Sequence, residues 1–311
     1  MPAASASAPR IAVTRVDTTQ FPLVRITLRM PTGAAKLPVR ARENGRPITW
    51  QVTKGPARQA IALSVDTSNS MKGARIAAVL KAAVAFVRQQ PRGVPLGVYS
   101  FSAQVHPAAA IPTPHQAAVD TLRALGPAGP DGTALYASIV KASSDLSTVN
   151  ATQRALIVVT DGQSLHDHST LTRAIKAALE ARVSVYPVAI VTPVLDIKAL
   201  RRLATATGGQ LGFAKKSSDV DRLYRTLARR IAATRTYSYL SAAHSYQALH
   251  IVVSMKGHGT DRFLAQPAHP GSRPKPPANS ELSMTTLGAL LVAAVCLLFG
   301  LAFALTRIFN R

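Results

Sequence analysis

The stretch that decides the fold is IALSVDTSNS, Ile61 to Ser70. Its first half, Ile61–Val65, is a short apolar run with no solvated face. A strand buried on both faces belongs to a parallel sheet covered by helices. The second half switches at Asp66 to oxygen-bearing side chains at every other position: Asp66, Ser68 and Ser70. The next segment, Lys72 to Gln89, has Ile76, Val79, Leu80, Ala83, Val84 and Val87 at helical spacing, with Arg75, Lys81 and Arg88 on the other face. Strand, polar loop and amphipathic helix therefore follow one another directly.

Working outward, the same alternation repeats. Val94–Phe101, Ala155–Val159 and Val183–Ile190 read as strands, and 134–145, 169–181, 196–206 and 218–234 as helices. Alternating strands and helices predict an α/β domain over 58–234, with a mainly parallel, Rossmann-like sheet and helices on both faces. The flanks differ. Residues 10–57 and 236–265 are β-rich, with Asn44-Gly45 as a hairpin turn signal, and together they predict one small β-sandwich.

In an open α/β sheet, ligands bind beyond the carboxyl ends of the strands. Three segments fall there: Asp66-Thr67-Ser68-Asn69-Ser70, Asp131-Gly132-Thr133 and Thr160-Asp161-Gly162. Asp66, Ser68, Ser70, Thr133 and Asp161 offer carboxylates and hydroxyls, the hard oxygens that suit Mg²⁺, with Mn²⁺ or Ca²⁺ as alternatives. Two carboxylates balance the ion without filling its shell, and an open position remains for a partner's carboxylate. Taken singly, each residue also fits an ordinary role: Asp66 and Ser70 as helix caps, Asp161 in a turn.

At these residues the chain resembles the von Willebrand factor A (VWA) domain family and its metal-ion-dependent adhesion site, or MIDAS. The family pattern Asp-x-Ser-x-Ser falls on Asp66, Ser68 and Ser70, its later Thr on Thr133, and its Asp followed by Gly on Asp161 and Gly162. Asn69 stands where the family often has Gly. The resemblance implies direct ligation by Ser68 and Ser70, with Thr133 joining on ligand binding and the two aspartates acting through water.

Other constellations are weaker. Ser164, His166 and Asp167 lack the Gly-x-Ser-x-Gly elbow of a hydrolase. His166 and His168 make a poor metal site on their own. No Walker loop or Gly-x-Gly-x-x-Gly is present, so nucleotide binding has no support. Catalytic residues are not expected.

The ends predict an anchor. Residues 283–306 carry no charge, and their apolar core, Leu287–Leu305, is long enough to cross a bilayer core of about 30 Å. Arg307 and Arg311 follow, which puts the 307–311 tail in the cytoplasm and the large N-terminal part outside the plasma membrane. Residues 266–282 carry five prolines and read as a stalk. Residues 1–9 read as a disordered tail or as the remnant of a signal peptide whose start lies upstream.

The net charge of +23 suits anionic partners such as lipid headgroups or envelope polymers. No nucleic-acid motif accompanies it. The layout is similar to membrane-anchored bacterial VWA proteins of the tight-adherence pilus and type II secretion F group. That likeness implies an adhesion or assembly module that reads an exposed Asp or Glu of a protein partner through the cation. The alternative expectation is an envelope scaffold, held to anionic polymers or lipids, in which the metal is purely structural.

Overall fold

The computed structural model describes residues 10–31, 34, 37–50, 58–126, 132–162 and 164–267. Asp131, residues 1–9, the stalk beyond Pro267, the apolar stretch 283–306 and the 307–311 tail lie outside the described residues. Among the described residues no helix is long and apolar enough to cross a membrane.

The chain opens with strands β1 (Ala12–Gln20), β2 (Leu23–Arg29), β3 (Val39–Glu43) and the short β4 (Arg46–Pro47). The central unit runs β5 (Gln59–Asp66), a 3₁₀ turn Asn69–Met71, α1 (Ala74–Gln89), β6 (Leu96–Phe101), β7 (Val105–Thr113), α2 (His115–Ala124), α3 (Leu135–Thr148), β8 (Gln153–Thr160), α4 (Leu171–Glu180), β9 (Val183–Ile190), α5 (Ile197–Thr207), β10 (Gly212–Ala214) and α6 (Ser217–Ala232). The chain then returns to β structure in β11 (Thr234–Leu240), β12 (Leu249–Met255) and β13 (Thr260–Ala265).

The central sheet has six strands in the order β10-β9-β8-β5-β6-β7, parallel except for β7 at the edge. Side chains alternate between its two faces. Ile61, Leu63 and Val65 of β5 join the core under α1, α2 and α6, where Phe86 meets Tyr224 with ring centroids 5.6 Å apart. Ala60 and Ala62 join the opposite core under α3, α4 and α5. The large apolar side chains buried in either core each gain about 1.5–3 kcal/mol from burial.

The flanking segments form two antiparallel sheets, β1-β2-β11 and β13-β12-β3-β4. β2 and β3 alternate buried with less buried positions, as period-two strands covering a core on one side do. Val24, Ile26, Leu28, Ile251 and Val253 meet in that shared core, and the Trp50 ring rests against Tyr237 and Tyr239. At the β3–β4 hairpin Asn44 and Gly45 both have positive φ, 48° and 82°, the backbone that a tight two-residue turn demands.

The strand order positions the site. The chain leaves β5 toward β6 on one side, whereas β8 lies on the other, so the order reverses between β5 and β8. Such a reversal opens a crevice at the carboxyl ends of the two strands.

Candidate metal centre

Asp66 ends β5, and Thr160 and Asp161 lie at the end of β8, the next strand in the sheet. Thr160 Oγ1 donates to Asp66 Oδ2 at 2.7 Å, which ties the two strand ends together. The other oxygen, Asp66 Oδ1, accepts from the backbone N–H of Ser68 at 3.0 Å and from its hydroxyl at 2.5 Å. An aspartate that bonds the backbone two residues on folds the loop back over the strand end. That turn puts Ser68 Oγ 3.1 Å from Ser70 Oγ, and Ser70 Oγ donates to Asp161 Oδ1 at 2.7 Å. Four of the five sequence-predicted ligands are thus joined in one oxygen cluster.

Thr133 reaches the same edge through the backbone. Thr67 N–H donates to the Phe101 carbonyl at 2.8 Å, and the Ala134 N–H to the neighbouring Ser102 carbonyl at 2.6 Å. Thr133 is itself held by a bridge to Leu165, through Thr133 N to Leu165 O at 2.8 Å. Gly132, at φ 151°, is required here. A Cβ at that position would lie 2.9 Å from the Ala103 Cα.

The capping roles open to Asp66 and Ser70 are not the ones they take. Gly73 precedes α1 and makes no side-chain cap, while both residues turn inward to the cluster. Asp167 is a cap that the sequence reading did not assign. Its carboxylate accepts from the N–H groups of Tyr136 and Ala137 at the start of α3, at 2.6 and 3.2 Å, and from the Ser164 hydroxyl at 2.7 Å. Ser164 and Asp167 therefore serve the loop that carries Thr133.

Asp66 is fully buried and Asp161 is 1% exposed. Burial pushes the Asp66 carboxyl above its ordinary range, against the hydrogen bonds from Ser68 and Thr160 and with the help of the Asp161 charge. The cation facing the pair is Arg75, from the first turn of α1. Its Nη1 lies 3.1 Å from Asp161 Oδ2 and 2.8 Å from the Ser70 carbonyl, and its side chain is 45% exposed. Arg75 was read from sequence only as an outer-face residue of the helix; its spacing from Ser70 carried no signal that it would fold back.

Among the described residues no group of three or more His, Cys, Asp or Glu could hold a metal. The donor set is two buried carboxylates with alcohol oxygens, which fits a hard divalent ion and not a soft one. Asp66, Ser68, Ser70, Thr133 and Asp161 are the residues that would hold it.

Comparison with known proteins agrees with this fold. The profile described as von Willebrand factor type A domain matches residues 60–227. No curated protein matches the chain. Among solved structures, von Willebrand factor type A from Catenulispora acidiphila is similar at 13% identity and TM-score 0.53, over 85% of this chain and 75% of that one. Proximal thread matrix protein 1 from the mussel byssus, with a zinc-occupied MIDAS motif, is similar at 13% identity and TM-score 0.53, over 61% of this chain and 49% of that one. Identities this low speak for the fold. With the profile match over more than half its length, and with the strand order and loop cluster described above, the chain belongs to the von Willebrand factor type A domain family.

Proposed function

We propose that this protein is a metal-dependent protein-binding module, not an enzyme, and that it works at the outer face of the plasma membrane from a C-terminal anchor at 283–306. The observation that carries the reading is the hydrogen-bonded cluster in which Ser68 and Ser70 link the buried carboxylates of Asp66 and Asp161 at the sheet's switch point. A divalent cation bound there supplies an electrophilic position for an Asp or Glu carboxylate of a partner. The chain's own residues do the rest. Asp66 orients Ser68 through two hydrogen bonds, Asp161 orients Ser70, and Thr160 fixes the spacing of the two strands. The Asp167 cap and the Leu165 bridge hold Thr133 at the rim.

Adhesion or assembly, as in pilus or secretion systems, is the biological setting we infer from the stalk-and-anchor layout. The test is calorimetric titration of the full chain in detergent with Mg²⁺ and Mn²⁺. Saturable uptake is expected, with none in Asp66→Ala. Retention of an envelope protein that is lost on EDTA and in Asp66→Ala supports partner reading. Retention that ignores both leaves the metal a structural part and overturns it.

A further inference from the structure

At the opposite end of the central sheet's strands, by the amino ends of β8 and β9, lies a cleft of ≈ 190 Å³ that shares part of its walls with a smaller cavity. Arg25, Arg154 and Arg182 line both, and Arg15 the smaller one. Asp17 is the acidic residue on these walls. Four guanidiniums facing one carboxylate leave an excess of three positive charges in a half-buried space.

Some of that charge is already engaged. Arg182 Nε pairs with Asp17 Oδ2 at 2.6 Å. Arg15 donates to the Leu179 carbonyl at 2.6 Å, and Arg154 to the Leu146 and Val149 carbonyls at 2.7 and 2.8 Å. These are the carboxyl ends of α4 and α3, whose dipoles offset a cation only in part. Arg25 is different. It projects from the middle of β2, and its Nη1 is buried with no hydrogen-bond partner among the described residues. A buried charged donor left unmade is costly. Burial lowers the pKa of Arg15, Arg25 and Arg154, and the charge of Arg182 lowers each further, while Asp17 draws Arg15 and Arg25 back. The guanidiniums stay protonated, so the strain is one of repulsion that an anion would relieve.

We propose that this cleft is an oxyanion site for the phosphate class, with Arg25 as its unfilled donor and Arg154 and Arg182 as its walls. Three surplus charges and planar forks suit a multiply charged oxyanion better than a single carboxylate. The ligand is either free phosphate or a phosphate ester such as a lipid headgroup. The site lies across the sheet from the metal cluster and does not depend on it.

The test uses the full chain in non-ionic detergent, titrated with inorganic phosphate, with glycerol 3-phosphate, and with sodium chloride at matched ionic strength. Saturable phosphate or ester binding that chloride does not reproduce is expected, together with a rise in melting temperature. Arg25→Gln should weaken it by about tenfold or more, and Arg25→Lys by less. Tighter binding of glycerol 3-phosphate assigns the site to an ester, and equal or tighter binding of phosphate assigns it to the free ion. No saturable binding by the folded wild-type chain overturns the proposal, whatever the variants do. Unchanged affinity in a folded Arg25→Gln overturns it as well.

Discussion

Arg75 and Asp66 act on the candidate metal site in opposite senses. The Arg75 guanidinium sits on an oxygen of Asp161 and on the Ser70 carbonyl, so its charge stands where a cation is to be accommodated. Arg75→Ala should therefore raise Mg²⁺ affinity, by up to about fivefold for a half-exposed pair, read by calorimetry; lower affinity would make Arg75 a support of the loop. Asp66 is held above its ordinary range chiefly by burial. Its folded state thus takes up a proton at a pH where the unfolded chain has released it. Metal-free stability should fall as pH rises from the ordinary aspartate value, about 3.9, through the raised one. Asp66→Asn should flatten that fall and abolish the Mg²⁺-induced rise in melting temperature. Thermal melts in EDTA across pH check both.

The element on which the site leans is α3. It begins two residues after Thr133, and its first N–H groups are satisfied by Asp167 from a different loop. Asp167→Ala should cost about 1–2 kcal/mol of stability, measured by urea unfolding, and should weaken Mg²⁺ uptake because the Thr133 loop loses its clamp. Affinity left unchanged would show that Thr133 is placed without the cap. Three elements of the central domain went unread in the sequence: β7, α2 and the three-residue β10. β7 reads VHPAAAIPT, with no apolar–polar alternation in its residues, and Pro107 and Pro112 interrupt its run of backbone donors. An edge strand tolerates both defects, and only its pairing to β6 makes it a strand. α2 is one short helix whose buried face is Ala118, Val119 and Leu122, too little for a periodicity to stand out.

For the whole molecule, the flanking sheets join the two ends of the described chain. β2 pairs with β1 on one side and β11 on the other, and β3 pairs with β12. Val24, Ile26 and Leu28 are fully buried against residues some two hundred positions away. A chain truncated after Ala233 should therefore lose its N-terminal segment to limited proteolysis within residues 10–50, while 58–233 stays resistant. Mass spectrometry of the fragments checks it, and a protected N-terminal segment would show that β1 to β4 fold without their partners. The seam between these sheets and the central domain also gathers the arginines of the oxyanion cleft, from β1, β2, β8 and the turn before β9.

Most of the parallel sheet and its helices, and the oxygen-bearing residues of the loops, could be read from the residues because each signal is local: an apolar strand, a helical period, and side chains two apart on a loop. A period of two or 3.6 and the chemistry of Asp and Ser need no knowledge of the rest of the chain. The meeting of Ser70 with Asp161, the return of Arg75 to the same carboxylate, the Asp167 cap and the four-arginine cleft were settled only by tertiary structure. Each joins segments whose separation in sequence says nothing about their distance, because strand order and packing, not spacing, bring them together.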